Sequence, residues 1–125
     1  MGTEPHPDPH PRVTAATWAV TPEKIAAVVA RLAEFAHPSR MIIFGSAARG
    51  ELHRDSDLDL LVIMRDEVAD WRAESVRLRQ HVHDILMAMD ILVISEAEAA
   101  RALNNRYGVL GPALREGKVA YEASR

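Results

Sequence analysis

The chain has 125 residues, enough for one domain with its own core, and it is 48% hydrophobic and 26% charged, as ordinary globular proteins are. A net charge of −3, from 15 basic and 18 acidic residues, argues against direct nucleic-acid binding, which asks for a basic domain. The absence of cysteine excludes disulfides, thiol catalysis and Cys-type zinc sites. No apolar run approaches the ~18 residues of a membrane span, and none reads as a signal peptide, so a cytoplasmic location is the default.

Residues 1–16 are rich in proline and lack apolar periodicity, which predicts a disordered tail ahead of a domain over 17–125. His6 and His10 in that tail read as solvated. Thr21-Pro22-Glu23 is a helix start: an N-cap, a proline at the first helical position and an acid in the first turn. Ile25, Val28, Val29, Leu32 and Phe35 recur at helical spacing and predict an amphipathic helix that His37-Pro38 ends. His37 reads as a helix-end residue without a chemical role.

Arg40 to Phe44 is the first predicted strand. Gly45-Ser46 then opens a tight turn and a short helix to Gly50, a polar loop follows, and Asp57 to Met64 is the second strand. The unbroken run Leu60-Leu61-Val62-Ile63 predicts a central strand covered on both faces. Asp66 to about Val82 reads as a helix with Val68, Trp71, Ser75, Leu78 and Val82 on one face. Its end holds His81-x-His83-Asp84; residues two apart do not share a helix face, so a frayed helix end outweighs a metal site. Leu86 to Ile94 is the third strand, and Ser95-x-x-Glu98 is a capping box for the helix after it. Pro112 to Glu116 forms a last short helix with Gly117 as its left-handed stop, and Val119 to Tyr121 a final strand. This order predicts an α/β (α+β) fold with a small mixed sheet and flanking helices.

Asp57 and Asp59 fall on one face of their strand, about 7 Å apart, while Leu58 and Leu60 take the other. Two acids beside a Gly-Ser turn suit a divalent cation and a phosphate together, because Mg²⁺ takes one or two carboxylates plus substrate phosphates. A glycine lets backbone N–H groups approach a phosphate, and a helix starting there would aim its positive end at it. Asp90 stands inside Met89-Asp90-Ile91-Leu92-Val93-Ile94, where a buried charge must be paired or bind metal. Each piece also has an ordinary reading: Gly-Ser as a turn, Asp-x-Asp as turn chemistry, Asp90 as a surface acid on an edge strand. Together they favour a site.

Gly45-Ser46, ten residues, then Asp57-x-Asp59 resembles the signature of the DNA polymerase beta-like nucleotidyltransferase superfamily. The wider run, with Arg49-Gly50 and Ser56-Asp57-Leu58-Asp59-Leu60, is most similar to its minimal nucleotidyltransferase (MNT) branch, and the resemblance spans roughly Thr21 to Glu122. It implies the nucleotidyltransferase fold, ATP or another nucleoside triphosphate as substrate and two Mg²⁺ ions. Asp57, Asp59 and Asp90 would be the catalytic metal ligands, with Asp90 also a general base. Gly45, Ser46, Arg49 and Ser56 would bind nucleotide; Arg49 reads equally as a salt bridge holding the turn. Many members carry a basic residue directly after Gly-Ser, and Ala47 departs from that pattern, which weakens the expected hold on triphosphate.

MNT proteins are often paired with a HEPN protein assigned as a ribonuclease toxin, and some transfer AMP to a tyrosine of that partner. The resemblance therefore implies an antitoxin that adenylylates a HEPN toxin within a hetero-oligomer. The alternatives are a non-catalytic antitoxin that masks its partner and, further off, an antibiotic nucleotidyltransferase.

Overall fold

The structure, a computed structural model, describes residues 17–50, 57–105, 108 and 110–124. The tail with His6 and His10, and the polar loop before Asp57, lie outside these residues.

The first helix, α1, spans Pro22–Ala36, with the Thr21 hydroxyl accepting from the Lys24 N–H. It ends where His37 turns left-handed (φ 50°) and its N–H bonds to the Ala33 carbonyl. Strand β1 follows at Arg40–Phe44, then a three-residue 3-10 turn over Gly45–Ala47. Strand β2 runs Leu58–Met64, α2 Trp71–His81, β3 Met89–Ser95, α3 Glu96–Leu103, α4 Leu110–Glu116 and β4 Lys118–Glu122.

The four strands form one sheet in the order β3-β2-β1-β4. β1 is antiparallel to both β2 and β4, and β2 is parallel to β3, so the sheet is mixed as the sequence predicts. A parallel pair needs a long crossover, and α2 supplies it. α1 and α2 cover one face through Val28, Leu32, Leu78 and Val82, packed on Leu58, Leu60 and Val62. α3 and α4 cover the other through Ala99, Leu110 and Leu114, packed on Ile42, Leu61 and Ile63. β2 is central, and Leu60, Leu61, Val62 and Ile63 are fully buried. Each such side chain contributes roughly 1.5–3 kcal/mol through burial, so this strand anchors the domain.

Four expectations are corrected. α2 begins at Trp71 rather than Asp66, because the Asp70 carboxylate caps it by accepting the Ala73 N–H at 3.1 Å. Trp71 therefore stays exposed, with the Arg72 guanidinium 5.2 Å from its ring. β3 begins at Met89 rather than Leu86, since Lys24 takes the Leu86 carbonyl and Arg79 reaches that of Met87. Phe35 leaves the core side of α1 and stacks on His81, ring centroids 3.7 Å apart. Gly117 is not left-handed; its side chain is missing because a Cβ would lie 2.3 Å from the Ala113 carbonyl and 2.4 Å from Ile42. The capping box holds: the Ser95 hydroxyl accepts the Glu98 N–H at 3.1 Å and donates to the Glu98 carboxylate at 3.3 Å.

Candidate active site

Parallel pairing of β2 with β3 puts Asp59 directly beside Asp90, one strand spacing of roughly 4.8 Å away. Both side chains take the α3/α4 face, because Leu61, Ile63 and Ile94, in step with them along the strands, pack there. β2 begins at Leu58 rather than Asp57, and Asp57, just ahead of it, is near enough for its charge to act on Asp59. Asp57 and Asp90 are exposed and Asp59 is half-buried, which marks this end of the face as open to solvent.

The electrostatics follow from this convergence. Burial raises the Asp59 carboxyl above its usual range, and the negative charges of Asp90 and Asp57 raise it further. Three hard oxygen donors that repel one another favour a cation between them. Among the described residues no three acids or imidazoles close into a ready-made metal cage.

Gly45 closes the other side of the carboxylates. On the antiparallel neighbour β1, Phe44 opposes Asp59, and Gly45 follows with φ +72°. A Cβ on Gly45 would lie 2.5 Å from Oδ2 of Asp59, so glycine is required both by the backbone and by the carboxylate against it. Ser46, half-buried, continues the turn; its carbonyl accepts the Arg49 N–H at 3.1 Å. The helix expected here is only the 3-10 turn, too short for a helix dipole to reach a phosphate, so any hold on one falls to single backbone N–H groups of the turn. Arg49 is exposed and stands on the rim of a neighbouring groove. Ser56 lies outside the described residues.

That groove, about 510 Å³, runs from Gly45 and Phe44 to Leu92 on β3 and to Leu110, Pro112 and Ala113 of α4. Its walls are mostly apolar, with Arg49 and Glu116 as the charged groups. Sequence reasoning missed it. Leu92, two residues beyond Asp90 on the same face, was a legible signal, but the α4 wall depends on tertiary packing. A second hollow of about 610 Å³, lined by Arg31, Glu34, Phe35 and His81, sits on the α1/α2 surface away from the carboxylates. The residues of the His81-x-His83-Asp84 run are each engaged separately. Asp84 pairs with Arg31, His83 Nδ1 lies 2.7 Å from the Gln80 carbonyl, and His81 stacks on Phe35. They make no common site.

The family model described as "Nucleotidyltransferase domain" matches residues 23–119. A crystal structure from Sulfolobus solfataricus, of a protein assigned there as a nucleotidyltransferase, superposes with a TM-score of 0.54 at 18% identity, covering 80% of this chain and 78% of that one. At that identity the likeness speaks for the fold. No curated protein sequence matches the chain.

Proposed function

The chain belongs to the nucleotidyltransferase domain family, and from that premise we propose that it transfers AMP from ATP to a hydroxyl of a partner protein. The observation that carries this reading is the pairing of Asp59 with Asp90 across two parallel strands, backed by Gly45. Asp57 and Asp59 would hold Mg²⁺, with Asp90 on a second ion. Bound there, the metal offsets phosphate charge and stabilises the attacking and leaving oxygens.

The residues divide the remaining work. Gly45 and Ser46 present backbone N–H groups to the triphosphate, and the apolar groove between the turn and α4 takes the nucleoside. Arg49 reaches a phosphate from the groove rim through its planar fork. Asp90 accepts the proton of the acceptor hydroxyl. The freed oxygen bonds to the α-phosphorus, the bond from that phosphorus to the bridging oxygen breaks, and pyrophosphate leaves.

The acceptor assigned here is a HEPN-domain ribonuclease toxin, which makes the chain a cytoplasmic antitoxin acting within a hetero-oligomer. What supports a protein acceptor is the likeness of the Gly45-Ser46 and Asp57-x-Asp59 run to the MNT branch. A second reading, neutralisation by binding alone, draws on Ala47, which stands where a basic residue would grip triphosphate. ATP labelled at the α- or the γ-phosphate, mixed with the toxin, separates the two. Transfer predicts α-label on the toxin, pyrophosphate release and loss of both in Asp59→Asn. Full neutralisation by Asp59→Asn with no label from the wild type establishes masking instead.

A further inference from the structure

We propose that Glu116 reads the nucleobase: its carboxylate accepts a hydrogen bond from the exocyclic amine of a base, adenine in the case of ATP, seated in the groove between the Gly45 turn and α4. The inference rests on the nucleotidyl-transfer reading above and names the group that selects the base.

Glu116 stands across β1 from the carboxylates. β1 lies between β2 and β4, with Phe44 opposite Asp59 on one side and Ile43 opposite Lys118 on the other. Glu116, the last residue of α4 and two before Lys118, lines the groove together with Gly45. β2 and β4 are two strand spacings apart, about 10 Å. Gly117 fixes where Glu116 stands. Its N–H bonds to the Ala113 carbonyl at 2.9 Å, and a Cβ on it would lie 3.0 Å from the Ile43 carbonyl. The end of α4 is therefore pressed onto β1, and Glu116 leaves it at the margin of the groove.

Charge sorts the two ends of a bound nucleotide. The phosphates belong on the side of Asp57, Asp59 and a metal, because the Glu116 carboxylate repels them. A neutral base meets no such repulsion. The groove between has walls of Phe44 and Leu92 from the sheet and Leu110 and Pro112 from α4. Its volume of about 510 Å³ is that of an ordinary small-ligand pocket. Apolar walls accept the faces of any flat ring and do not distinguish its edge.

Glu116 supplies that distinction. Its carboxylate makes no hydrogen bond or ion pair among the described residues. An ionised carboxylate only accepts hydrogen bonds, so its partner must be a donor, and the amine of adenine is one. A base stripped of that amine leaves the carboxylate unpaired. Glu116 is exposed, so the bond sits at the weak end of those made to charged groups, which corresponds to about tenfold in affinity.

The test is calorimetry of the full chain in Mg²⁺ with three ligands: ATP, purine riboside triphosphate, which is ATP without its amine, and inorganic tripolyphosphate. The wild type should bind ATP about tenfold more tightly than the amine-free analogue. Glu116→Ala should abolish that advantage through weaker ATP binding alone, leave the analogue and tripolyphosphate as they are, and melt like the wild type. Equal affinity for the two nucleotides in the wild type, or a loss in Glu116→Ala shared by both, overturns the base reader and leaves the nucleotide site standing. A gain in tripolyphosphate affinity in Glu116→Ala overturns it as well, by putting the carboxylate beside the phosphates. Failure of both nucleotides to bind refutes the nucleotide site itself, and the base reader with it.

Discussion

Gly45→Ala isolates the contact on which the carboxylate arrangement depends, because Gly50 provides an internal control. Both glycines are left-handed, with φ of +72° and +74°. An alanine in that conformation costs about 1–2 kcal/mol. For a domain of this size that lowers Tm by roughly 4–8 °C. A Cβ on Gly50 would meet nothing within 4 Å among the described residues, so Gly50→Ala should show this strain alone. At Gly45 the Cβ would also come to 2.5 Å from Oδ2 of Asp59, where ordinary contact begins at 3.4 Å. The carboxylate must therefore move by the better part of an ångström. Misplacement of that size costs about 100-fold in rate when geometry governs the chemistry. Melting curves and single-turnover pyrophosphate release on both variants make the comparison. Gly45→Ala should melt below Gly50→Ala and lose about two further orders of magnitude in rate. Equal rates in the two variants would refute the claim that Gly45 holds Asp59 in place.

Asp59→Asn should raise the melting temperature of the metal-free protein at pH 7. The folded state raises this carboxyl, so it binds more protons folded than unfolded, and its destabilising effect grows as pH rises above the unfolded value. The advantage of the variant should vanish below the ordinary carboxylate range, and a constant gain at every pH would contradict the electrostatic cause. Lys24→Met should destabilise by about 2–3 kcal/mol by chemical denaturation, the scale of one charged hydrogen bond, since part-buried carbonyls regain water in place of the others. Its ammonium donates to the carbonyls of Thr17, Ala19 and Leu86 at 2.7, 2.9 and 2.8 Å, and a loss below 0.5 kcal/mol would show that water replaces it, on the scale of a weak hydrogen bond. Glu96 behaves oppositely to Asp59. Hydrogen bonds from Arg40 and Ser39 hold its carboxyl below the usual range, so its contribution is present above the unfolded value and fades as pH falls through the folded one. Glu96→Gln should therefore cost stability at pH 7, by at most about 1 kcal/mol for so exposed a pair, and nothing near pH 2.

Features written in local chemistry were legible from the sequence. Thr21 and Pro22 start α1 because capping is a property of a few adjacent residues, and Leu60 to Ile63 read as a central strand because both of its faces are apolar. That Asp57 and Asp59 lie near enough for their charges to act on each other followed from their spacing alone. That Asp90 would join Asp59 came from the family resemblance and not from local pattern, since register between strands 31 residues apart is set by packing. Where two local signals competed, the sequence misled. Val68 and Trp71 continued a helical stripe, but the Asp70 carboxylate captured the Ala73 N–H and started the helix there. Gly117 looked like a helix stop for the usual conformational reason, whereas the structure needs it for the close approach of α4 to β1. The groove beside Gly45 escaped for the same cause: its walls come from β1, β3 and α4, and no short stretch contains them.

Calorimetry of ATP binding with and without Mg²⁺ tests the central claim most directly. Three carboxylates and a polyphosphate repel each other unless a cation lies between them. The wild type should bind ATP weakly in chelator and markedly tighter with Mg²⁺, and Asp59→Asn should lose most of that gain while staying folded. Equal affinity in both conditions, or a Mg²⁺ gain that survives Asp59→Asn intact, would contradict the assignment of Asp57, Asp59 and Asp90 as a metal–nucleotide site.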